Sequence, residues 1–150
     1  MKLAEALTLR ADLQKRIQQI RSRLQNNAKV QEGEEPAEDP KELMKELDDL
    51  TAQLEDLITR INITNAVTKD KEETLTALLA KRDCLSTQND ILRDFLDSAS
   101  SLIMRGTQSE IKVKSSVSVR ELQKEVDRRA KQLREIDVRI QGLNWTTDLQ

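Results

Sequence analysis

The chain has 150 residues, 25 basic and 27 acidic, with 37% hydrophobic and only 1% aromatic side chains; tyrosine and histidine are absent, and there are three glycines and two prolines. That length is the size of one compact domain or two small helical hairpins and is enough to bury a core, and the scarcity of aromatics, glycine and proline argues against a sandwich, a barrel or a glycine-looped nucleotide fold. Charged residues make up 35% of the chain with their signs interleaved, the composition of long exposed helices.

Without histidine, the commonest general base and transition-metal ligand is missing, and the single Cys84 can form neither a thiolate cage nor an internal disulfide. The expectation is therefore of no catalytic residues, no cofactor and no metal. A net charge of -2 provides no long-range field for nucleic acid or an anionic membrane, so neither is expected as a partner. Lys2 and Glu5 interrupt the apolar positions at once, and the longest uninterrupted apolar run is only Ala77 to Ala80. These features predict a cytoplasmic protein.

In chain order, Leu3, Ala6, Arg10, Leu13, Ile17, Ile20 and Leu24 recur at alternating steps of three and four and predict a helix over 2–26. From Asn26 to Asp39 the chain carries one glycine, one proline and five acids, which reads as a loop; only 28–31 could be a strand. Asp39, Pro40 and Glu42 combine an N-cap, a proline at the first helical position and a capping-box acid, and so start a second helix over 40–65. Its stripe is Leu43, Leu47, Leu50, Leu54, Leu57, Ile61 and Thr64.

A polar turn at Lys69-Asp70-Lys71 leads into the longest stripe, from Leu75 to Ile103, and a helix over 71–104. Arg105-Gly106 breaks that pattern, and 110–117 then alternates polar and apolar residues in the period of a strand. Ser118 with Glu121 caps a fourth helix over 118–143. Helices of this length are rods of about 38–50 Å that must pair along their sides. The reading is of one mainly all-α domain over 1–150: four long antiparallel helices in a bundle or coiled coil, with room for a small ribbon at one end between strands 28–31 and 110–117.

Arg10, Arg82 and Arg129 stand in the stripes where leucine is expected, and Asn89 adds a fourth polar member. Two readings are open. Arginine stems pack on the core while their heads meet carboxylates, Asp137 for Arg10 and Glu125 for Arg129; or the four converge on a small anionic ligand. Cys84 lies beside the stripe as a free thiol. The carboxylates Glu32, Glu34, Glu35, Glu38 and Asp39 read as solvated, with Asp39 and Glu38 favouring the positive end of helix two. Trp145 is expected to cap the end of the bundle, with an interface anchor as its rival role. Leu79, Ile91, Phe95 and Leu102 lie off the main stripe of the third helix and mark a candidate interface.

The strings MKLAEALTLRADLQKRI (1–17), EEPAEDP (34–40), RINITNAVT (60–68), SEIK (109–112) and NWTTDL (144–149) together resemble the septicolysin-like family of small bacterial helical proteins. The chain departs from that family's pattern at Lys69-Asp70-Lys71-Glu72-Glu73, where a glycine is usual, and at Arg105-Gly106-Thr107-Gln108, where a tyrosine is usual. The family supplies no catalytic residues, and its name implies a pore-forming cytolysin. From the residues themselves, the leading expectation is a non-enzymatic helical protein that forms homo-oligomers and acts through protein contacts. Two alternatives accompany it: the pore former implied by the resemblance, and the anionic-ligand binder built on the arginine layer.

Overall fold

A computed structural model describes residues 1–101 and 111–150. Among the described residues four helices and one small two-stranded antiparallel sheet make the fold mainly α, 75% helical. The elements run α1 (Leu3–Asn26), α2 (Pro40–Val67), β1 (Lys69–Asp70), β2 (Glu73–Thr74), α3 (Leu75–Ser100) and α4 (Val119–Thr146). They fall into two compact units, the first formed by 1–69 with 143–150 and the second by 70–142.

In the first unit α1 and α2 pack antiparallel. Burial recurs every seven residues on each helix, at Ala6, Leu13 and Ile20 and at Leu43, Leu50, Leu57 and Thr64, so one apolar seam runs the length of the pair. Proline at the first position and the Asp39 carboxylate, which accepts from the Lys41 amide at 2.9 Å, start α2 where the sequence predicts. The loop between the helices is tied at both ends. Asn27 donates to the Arg23 carbonyl at 2.8 Å and accepts from the Glu38 amide at 3.0 Å, while Arg23 Nε donates to Glu38 at 3.1 Å.

At the other end of this unit the chain's tail closes the seam. The Leu3 amide donates to the Thr147 carbonyl and the Leu149 amide to the Met1 carbonyl, both at 2.9 Å. Lys2 Nζ meets Asp148 at 2.9 Å, and Arg60 Nε donates to the Gln150 carbonyl at 2.7 Å. Thr64, fully buried, satisfies its hydroxyl by donating to the Arg60 carbonyl at 2.8 Å and accepting from the Gln150 amide at 3.0 Å.

In the second unit α3 and α4 run antiparallel, since Arg139 reaches Asp70 and Glu73 near the start of α3 while Arg129 reaches Gln88. Thr74 caps α3 by accepting from the Ala77 amide at 3.1 Å, so the helix begins at Leu75 rather than at 71. Ser118 caps α4 through the Glu121 amide at 3.3 Å. The ribbon expected between 28–31 and 110–117 is corrected: 28–31 and 111–117 contain no strand, and residue 110 lies outside the described residues. The strands instead flank Lys71, whose φ of 58° turns the chain in the left-handed region. Adjacent segments close such a hairpin at little entropic cost, whereas the expected ribbon required two distant loops to meet.

Candidate interaction surface

Between α3 and α4 lies a groove of about 450 Å³. On α3 it is lined by Lys81 with Cys84 and Leu85 three and four residues on, and on α4 by Arg139 with Ile136 and Glu135 three and four residues before it. Ile136 is buried and Leu85 half-buried, so the floor is apolar and the rim charged. Cys84 is a free, exposed thiol.

One end of the groove is held by a charge network. Arg139 donates through Nε to Asp70 at 2.6 Å and through Nη2 to Glu73 at 3.1 Å, and Lys81 Nζ lies 3.3 Å from Glu73. Hydrogen bonds from Arg139 and then Lys81 hold the Glu73 carboxyl below its ordinary range, and Asp70 followed by Glu73 raises the Arg139 guanidinium. Toward the other end, Glu125 accepts from both Arg128 and Arg129, which lower its pKa to about 2.

The same face of α3 continues outward beyond the groove. Cys84, Gln88, Ile91 and Phe95 follow at steps of four, three and four, and Ile91 and Phe95 are 62% and 42% exposed. Leu79 is half-buried, and Leu102, the remaining α3 member of the expected interface, lies outside the described residues. Trp145 is 65% exposed, which corrects the expectation that it caps an end of the helices. Its neighbour Asn144 takes the buried position on α4, leaving the indole about 100° round the helix, and the 147–150 tail closes the end of the first unit instead.

The four polar stripe residues are distributed between the units. Arg10 is half-buried in the first unit and forms no ion pair among the described residues; Asp137, expected opposite it, belongs to the second. Arg82 turns to its neighbour Asp83 at 2.9 Å. Arg129 meets Glu125 at 2.8 Å, the partner its spacing suggested, and donates to Gln88 at 2.9 Å. Asn89 is 3% exposed, and its Oδ1 has no hydrogen-bond donor among the described residues.

The Arg139–Asp70–Glu73 and Arg23–Glu38–Glu46 networks were missed by sequence reasoning. Their partners lie up to 69 residues apart, and the only local signal was a pair of acids flanking a polar turn. In the acidic loop Glu38 is engaged by Arg23 and Asp39 by a helix amide, and among the described residues no three His, Cys, Asp or Glu side chains form a group that could hold a metal ion. No helix of the described residues is long and apolar enough to cross a membrane.

A family model, described as a family of unknown function (DUF6847), matches residues 10–149. The chain belongs to DUF6847. A crystal structure of a functionally unknown conserved protein from Corynebacterium diphtheriae is 43% identical, covers 100% of this chain and 99% of its own, and superposes with a TM-score of 0.92. No curated protein matches. The DUF6847 match overturns the septicolysin-like resemblance, and the cytolysin function drawn from that name falls with it.

Proposed function

We propose that this DUF6847 protein catalyses no reaction and acts as a helical interaction protein, self-associating through the outer face of its second helical pair. The observation that carries this reading is the apolar surface of α3: Ile91 and Phe95 stand exposed at a helical spacing, continuing the line of the groove floored by Leu85 and Ile136. Two helices cannot cover both flanks of such a surface, and a further helical layer is the usual solution. Scattered exposed leucines need no explanation, but aligned apolar residues beside an apolar groove mark a contact site. Trp145, exposed on α4, is a second anchor of the kind enriched where proteins meet. We place the protein in the cytoplasm, where the exposed Cys84 thiol stays reduced.

The arginine layer as an anion site is less favoured, because Arg82 and Arg129 are each taken by a carboxylate of their own helix. Light scattering on the full chain across a micromolar concentration series tests the self-association. The proposal expects a mass above 17.2 kDa that grows with concentration; a constant 17.2 kDa contradicts it.

A further inference from the structure

Asn89 occupies the stripe position midway between Arg82 and Leu96, seven residues from each, and Gln88 beside it bonds Arg129 of α4, which places Asn89 in the α3–α4 seam. It is nine-tenths buried, yet its Oδ1 receives no hydrogen bond from any described residue. A buried acceptor without a donor costs about 1–3 kcal/mol relative to one in water. That cost disappears when the seam parts and water reaches the amide. Around it Leu96, Val126 and Ile136 are buried, but Leu85, Leu92, Leu122 and Leu133 are only half-buried, and Arg82 and Arg129 occupy leucine positions. The α1–α2 seam differs. Leu13, Ile20, Leu43, Leu50, Leu57 and Ile61 are all buried, its buried polar member Thr64 has both a donor and an acceptor partner, and its charged member Arg10 is only half-buried.

We infer that the α3–α4 seam is a built-in opening point, destabilised by the unmet acceptor of Asn89, so that this helical pair opens by itself while α1–α2 stays closed. Local opening of this kind follows the least closed contacts in a protein, and it exposes the seam leucines of α3 and α4 without unfolding the rest. The inference concerns the stability of the pair and stands whether or not the protein self-associates.

Amide hydrogen exchange on the full chain, wild type beside Asn89→Leu, tests it. In the wild type, amides of 85–92 and 122–133 exchange faster than those of 13–20 and 50–57. In Asn89→Leu, exchange in 85–92 and 122–133 slows by about 5- to 150-fold while 13–20 and 50–57 are unchanged, the factor being the cost of the unmet acceptor converted to an equilibrium constant. Asn89→Ala separates removal of the amide from the added packing of leucine and also slows exchange, by a smaller factor. Unchanged or faster exchange in both variants shows that the amide is satisfied in the folded seam and overturns the inference. Equal slowing of all four segments shows that opening is global and overturns it as well. A change in solution mass in Asn89→Leu assigns Asn89 to fixing register or subunit number, and this too contradicts an opening device.

Discussion

The two helical pairs are built to the same plan with different closure. In α1–α2 the fully buried seam positions are apolar apart from Thr64, whose hydroxyl is satisfied, Arg10 is half-buried, and the tail from Thr147 to Gln150 fastens the end with backbone hydrogen bonds. In α3–α4 the equivalent positions include Arg82, Asn89 and Arg129, several leucines remain half-wet, and an apolar face with Ile91 and Phe95 looks outward. A heptad pattern thus specifies a scaffold when every buried position of its seam is apolar or satisfied. When a seam buries an amide oxygen without a donor, the same pattern makes a weaker contact.

The sharpest contrast between the pairs comes from truncating one leucine in each. Leu50, buried in the first seam, should cost about 2–5 kcal/mol on replacement by alanine, while half-buried Leu133 in the second should cost well under that. Denaturant unfolding followed by circular dichroism measures both, and equal losses would erase the distinction.

The first pair was the more legible in the sequence. Of the predicted stripes, Leu3, Ala6, Leu13, Ile20, Leu43, Leu50, Leu57, Ile61 and Thr64 are buried and Arg10, Ile17, Leu24, Leu47 and Leu54 half-buried, because a 3.5-residue period identifies the inward side of a rod. The Asp39-Pro40 start of α2 was equally readable, since a cap and its proline are local chemistry. Features that depend on distant residues were not legible. Trp145 is exposed because burial falls to Asn144, a choice set by the helix's rotation, and the ribbon forms around Lys71 because its strands are neighbours in the chain. The site was only partly readable: Ile91 and Phe95 stood out by being off the stripe, whereas the groove beside them needs α4 to be placed against α3.

Smaller substitutions sharpen the same contrast. Gly142 sits inside α4 with open space where a Cβ would go, so Gly142→Ala should raise stability by about 0.5–1 kcal/mol, read as an upward shift in Tm. Arg139→Gln removes the donors to Asp70 and Glu73, and thermal unfolding should show a loss in low salt that shrinks as salt is added, because the partners are partly exposed. The smallest effect is titration of Glu125. Arg128 and Arg129 lower its folded pKa to about 2 from the ordinary 4.5, so its contribution is complete above about 4.5 and is lost as pH falls toward 2. Glu125→Gln should flatten that part of the stability profile, measured by circular dichroism across acid pH.

The most direct test of the second pair as the working surface is sedimentation equilibrium on the wild type and on the double variant Ile91→Glu with Phe95→Glu, both checked for helical content. The account predicts that the wild type associates and that the variant, equally helical, sediments at 17.2 kDa. A variant that associates as strongly as the wild type would contradict it.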